Sequence, residues 1–139
     1  MKYSINFTGR NESKEWAHYK WHVMINGVSF DYKTGLGHAT GKVNLFGKRL
    51  WTKPAIKTIS LEKEWVHVPE IDQVLECLFS DSQAGSESFN DFCDNFGYSN
   101  DSLKALDTYR ECMDINKKLR LALGNDFNSE RQRIEAKSA

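Results

Sequence analysis

A chain of 139 residues, 40% hydrophobic and carrying 4 Trp, 5 Tyr and 8 Phe, suffices for one core and is short for two. Its 19 Lys and Arg balance 19 Asp and Glu, so no net charge draws it to nucleic acid or an anionic membrane. No apolar run is long enough to span a bilayer, and the alternating start Met1-Lys2-Tyr3-Ser4-Ile5 lacks the core of a secretion signal.

The first third reads as antiparallel sheet. Tyr3, Ile5 and Phe7 alternate with polar neighbours, the period of a half-buried strand, and Gly9 to Glu15 reads as a polar turn. Alternation resumes with Tyr19, Trp21, Val23 and Ile25, then with Val28, Phe30 and Tyr32 beyond Asn26-Gly27. Asn-Gly favours a two-residue hairpin because both positions need positive φ. That turn predicts Ile25 opposite Val28, Val23 opposite Phe30 and Trp21 opposite Tyr32, with every apolar side chain on one face.

Glycines 35, 37, 41 and 47 interrupt residues 34–54, and Pro54 ends them. Further strands are expected at 55–61 and 65–68. Pro69 opens a helix carrying Ile71, Val74, Leu75, Leu78 and Phe79, and a break is expected over Asp81 to Ser86. Phe89, Phe92, Cys93 and Phe96 mark a second helix stopped by Gly97. A third, capped by Asp101 or Ser102, runs to about Leu123 before Gly124, lined by Leu103, Leu106, Tyr109, Cys112, Met113, Leu119 and Leu123. The expected fold is therefore α+β, a single domain over 1–139. A three- or four-stranded antiparallel sheet (1–68, mainly β) is packed by three C-terminal helices (69–123), and a charged, frayed helical tail follows over 124–139.

The zero net charge hides an asymmetry. Residues 1–63 hold eleven cations and four acids, a balance of 11 − 4 = +7. Residues 64–103 hold nine acids and no Lys or Arg. Such segregation bears on partners more than on fold. Glu70, Asp72 and Glu76 on the first helix and Asp91 and Asp94 on the second are expected to stand clear of the apolar positions, free to steer a basic partner. The plainer alternative is that they neutralise the chain's own basic segment.

Candidate chemistry is sparse. The stretch Gly35-Leu36-Gly37-His38-Ala39-Thr40-Gly41-Lys42-Val43 fails as a Walker loop at Leu36 and Val43, and fails the dinucleotide pattern at Thr40. His22 and Asp31 face each other in the derived register, where a carboxylate can orient an imidazole as a general base. Ser29 is the one nucleophile nearby, and a cross-strand ion pair explains the two residues as simply. Three widely spaced cysteines, Cys77, Cys93 and Cys112, suit buried thiols in a reducing cytoplasm rather than a disulfide framework. No metal-ligand spacing and no cofactor motif occurs. The segment 42–57 sets Lys42, Lys48, Arg49, Lys53 and Lys57 among Phe46 and Trp51, the mixture that holds single-stranded nucleic acid by phosphate contact and stacking.

At Phe30-Asp31-Tyr32-Lys33-Thr34-Gly35-Leu36-Gly37-His38 the chain resembles a group of small proteins encoded in phage and prophage genomes. Residues 89–98, then Asp101-Ser102, Lys104-Ala105, Thr108-Tyr109 and Cys112, are similar to that group's DFCxxFGYxxDSxKAxxxYxxC signature. The resemblance spans about residues 3–35 and 70–123. It implies a non-enzymatic accessory protein acting in the cytoplasm of a bacterial host. Its expected partner is a host protein or ribonucleoprotein complex, such as a CRISPR–Cas or other defence complex. The alternative expectation is a small nucleic-acid-binding protein using residues 42–57. Neither involves a membrane.

Overall fold

The computed structural model describes residues 1–12, 17–35, 57–61 and 64–138. They fold as α+β, and the chain divides into two compact units, Met1–Leu75 and Glu76–Ala139.

In the first unit β1 (Tyr3–Glu12), β2 (Ala17–Ile25) and β3 (Val28–Gly35) form an antiparallel sheet in that order. The β2–β3 register is the one the turn chemistry predicts: Ile25 pairs with Val28, Val23 with Phe30, His22 with Asp31 and Trp21 with Tyr32. Asn26 at φ 48° and Gly27 at φ 83° supply the two positive φ angles the turn needs. Asn26 also ties down the start of β1. Its N–H donates to the Lys2 carbonyl at 2.8 Å, and its Oδ1 accepts from the Lys2 N–H at 2.9 Å.

Tyr19, Trp21, Val23, Ile25, Phe30 and Tyr32 are buried on one face, with Thr34 among them. The Trp21 indole donates to Thr34 Oγ1 at 2.9 Å, so the two polar groups enter the core as a satisfied pair. Phe7 meets Trp21 edge-on at 5.3 Å between ring centroids. The β1–β2 register shifts between Phe7 and Gly9, a bulge that alternation alone does not announce.

β4 (Lys57–Leu61) and β5 (Glu64–Val68) lie where further strands are expected, and among the described residues they pair with each other as a two-stranded sheet. Among the described residues the larger sheet holds three strands, within the three or four expected. The glycine-interrupted stretch 36–56 lies outside the described residues.

α1 (Ile71–Gly85) buries Val74, Leu75, Leu78 and Phe79, as its spacing predicts, together with Cys77, while Ile71 is half-buried. The expected break over 81–86 does not occur. The helix runs on to Gly85 because its polar residues there are taken into the second unit's interior. Asp81 and Ser82 are buried, and Ser82 Oγ donates to Asn116 Oδ1 at 2.7 Å. Gly85 then lies so close to Cys112 that a Cβ atom would overlap the Cys112 carbonyl group.

α2 (Phe89–Phe96) and α3 (Leu103–Leu123) are capped by side chains the sequence supplies. Ser88 Oγ accepts from the Asp91 N–H and Ser102 Oγ from the Ala105 N–H, each at 3.2 Å. Gly97 stops α2 in the left-handed region at φ 73°, and the Tyr98 N–H returns to the Cys93 carbonyl at 2.9 Å. Around the fully buried Phe92 stand the rings of Phe89, Phe96, Tyr98 and Tyr109, with centroids 5.1–6.4 Å away.

The charged tail is helical, as expected. After a short 3-10 turn over Gly124–Asp126, α4 (Phe127–Ser138) anchors itself through buried Phe127 and Ile134, two turns apart. The Phe127 ring meets Phe79 at 5.4 Å and carries the Arg120 guanidinium 4.2 Å above its face. Three residues expected in the core are not there: Phe96 is 40% exposed, Leu103 77% and Met113 46%.

Candidate functional site

The acidic stretch is the feature to locate first. On α2, capping by Ser88 and burial of Phe92 and Cys93 turn Asp91 and Asp94 outward, three residues apart on one side of the helix. Both are exposed. Glu70, Asp72 and Glu76 stand less clear than expected. All three are half-buried: Glu70 falls just ahead of α1 rather than on it, and Asp72 and Glu76 sit on a helix most of whose residues from Gln73 to Gly85 are buried. Asp81 is buried altogether.

Among the described residues of the acidic stretch, the exposed carboxylates therefore lie on α2 and in the loop after it. Asp101 is exposed in that loop, where it accepts the Ser99 hydroxyl. Glu87, half-buried before α2, accepts from Asn95 Nδ2 at 3.1 Å. Sequence reasoning placed Asp101 only as a possible cap. Ser102 performs the capping, which frees Asp101 for the surface, and the paired Asp-Ser was the signal available.

His22 and Asp31 are cross-strand neighbours, yet among the described residues no ion pair joins them. The imidazole turns along its own face instead, and Nε2 lies 2.7 Å from Ser29 Oγ, one hydrogen bond whose donor depends on the tautomer. His22 is half-buried, while Ser29 and Asp31 are exposed. A hydroxyl and an imidazole at this distance form the first contact of a nucleophile–base pair. The orienting carboxylate contact that completes such a pair is not made by Asp31.

Of the basic candidates, Lys42, Lys48, Arg49, Trp51 and Lys53 lie outside the described residues, and Lys57 begins β4. Among the described residues no group of three or more His, Cys, Asp or Glu could hold a metal ion. Nor is any described helix long and apolar enough to cross a membrane. Cys77, Cys93 and Cys112 are all buried free thiols. Burial pushes the Cys93 thiol above its ordinary pKa, and the Asp94 carboxylate beside it adds to the effect. A thiol so placed is a poor nucleophile.

Several residues of the second-half motif are structural. Phe92 is the aromatic hub, Gly97 the left-handed cap, and Ser102 the N-cap of α3. Tyr109 packs on Phe92 and donates its hydroxyl to the Glu87 carbonyl, and Ala105 and Cys112 are fully buried. Together they build the α2–turn–α3 hairpin that displays Asp91, Asp94 and Asp101. No protein-family model, no curated protein and no solved structure matches this chain.

Proposed function

We infer that this chain is a non-enzymatic accessory protein of phage or prophage type, which docks through the carboxylates of α2 onto a basic surface of a host macromolecule. A nucleic-acid-binding defence complex of the CRISPR–Cas kind offers such a surface. The observation that carries the reading is the exposure of Asp91 and Asp94 inside a forty-residue stretch without a single cation. Exposed carboxylates contribute little to folding, so their concentration is available for long-range attraction to positive charge. The resemblance of residues 89–112 to the phage group supports the same reading.

The test is affinity capture of a defence complex by wild-type chain and by Asp91→Lys/Asp94→Lys. Wild-type capture is expected to weaken as salt rises from about 0.05 to 0.5 M, and the double reversal to abolish it without loss of helix content. Capture that ignores both salt and charge reversal would defeat the reading. A gel shift of single-stranded nucleic acid by the isolated protein would instead favour the basic segment 42–57.

A further inference from the structure

α3 carries an exposed seam that its own unit does not use. Leu103, Asp107, Arg110, Asp114, Lys117 and Leu121 follow one another at spacings of four, three, four, three and four residues. That alternation is a heptad stripe along one side of a helix, here about 27 Å long at 1.5 Å per residue. All six are exposed, Leu103 by 77% and Leu121 by 74%. The opposite side of α3 meanwhile buries Ala105, Cys112, Leu119, Ala122 and Leu123. Among the described residues, none of the four charged members of the seam enters an ion pair within the chain.

The seam is complementary to itself when reversed. Against a second copy laid antiparallel, Leu103 meets Leu121, Asp107 meets Lys117 and Arg110 meets Asp114, and a two-fold axis level with Cys112 repeats all three pairs. Each pair joins positions four-then-three apart in opposite phase, as antiparallel heptads require. A parallel alignment would set Asp107, Arg110, Asp114 and Lys117 each against its own like charge. Sliding the antiparallel helices by one heptad would strand a leucine against a charge. One register alone satisfies all six positions. Beside its midpoint lies a groove of about 420 Å³ bordered by Gly85, Met113 and Asn116, with room for side chains arriving from a second copy.

We propose that this face of α3 is the interface of a two-fold symmetric homodimer in which the helices lie antiparallel. The interface is isologous, with leucine pairs at both ends and salt-sensitive ion pairs between them. It uses neither Asp91 nor Asp94, and its test reads assembly rather than host capture, so the two proposals fail separately.

Sedimentation velocity of the full chain from about 1 µM to 1 mM provides the measurement. Wild type is expected to dimerise at about 0.05 M salt and to dissociate towards monomer at about 0.5 M. Arg110→Glu and Asp114→Arg each set like charges together twice, and each should weaken self-association at least about tenfold. An equimolar mixture of the two variants should form a dimer containing one of each chain, and a chain carrying both changes should dimerise by itself. Asp107→Lys and Lys117→Glu form a second set with the same expectations, should a variant of the first set fail to keep its helix content by circular dichroism. A wild type that stays monomeric over the whole range would overturn the proposal. So would single variants that dimerise as well as wild type, or a mixture that stays monomeric.

Discussion

Gly85 of α1 lies against the Cys112 carbonyl of α3 with no space between them for a Cβ atom. The atom in the way is backbone, so relief requires one helix to move rather than a side chain to rotate. Gly85→Ala should therefore destabilise the fold by about 1–3 kcal/mol despite the better helix propensity of alanine. Urea unfolding followed by far-UV circular dichroism measures this, and an unchanged midpoint would show that the helices separate without cost.

The buried pairing of Trp21 with Thr34 gives a second expectation. Thr34→Val keeps the shape but removes the acceptor, leaving an indole N–H unsatisfied in the core, at a cost of about 1–3 kcal/mol. Thr34→Ser keeps the hydroxyl and should lose less. If serine proves no better than valine, the hydrogen bond is not what holds Thr34 inside.

At the hairpin turn, Gly27 adopts φ 83° with open space around it. Steric overlap is thus not at issue there, only backbone conformation. Gly27→Val should cost about 1–3 kcal/mol, since a β-branched residue resists positive φ. A matched thermal melt of the two proteins decides the matter.

Stability should also fall on the alkaline side through Cys93. Its folded-state pKa lies above the unfolded value, so the folded chain holds that proton more tightly. The contribution is complete below the unfolded thiol's pKa and is lost as pH rises through the folded one. Cys93→Ala removes the titrating group and should flatten this decline, although the lost packing lowers its stability at neutral pH. Urea midpoints taken stepwise from neutral to alkaline pH compare the slopes, and parallel curves would exclude Cys93 as their source.

His22, Ser29 and Asp31 should prove dispensable for capture. His22→Ala, Ser29→Ala and Asp31→Asn each act on a surface contact and are expected to shift stability by no more than about 1 kcal/mol. Loss of capture or of any catalytic turnover in a stably folded variant would bring the hydroxyl–imidazole contact into the function.

The hairpin was legible because two independent signals coincide at Asn26-Gly27: the demand for positive φ, and the apolar alternation on either side of it. The α2–α3 turn was legible for the same reason, with Gly97 and Ser102 announcing a stop and a start. The run through Asp81 and Ser82 was not. Polar residues followed by Gly85-Ser86 look locally like a helix end, and the hydrogen bond to Asn116 that accommodates them comes from 34 residues away. The tail's helix was expected but its anchors were not, because two apolar residues in a charged run give periodicity nothing to count. In the candidate site, the absence of cations over 64–103 was plain from composition. Which acids reach the surface was not, since it depends on how much of α1 is covered, and that depends on tertiary packing.

The division into two compact units also separates the chain's intrinsic reporters. Trp16, Trp21, Trp51 and Trp65 all precede Glu76, whereas Cys77, Cys93 and Cys112 all follow it. Tryptophan emission thus reports from the first unit and thiol reactivity from the second, with no label introduced into either. A melting temperature taken from one of these signals belongs to the unit that carries it, and comparing the two signals reads the cooperativity between the units directly.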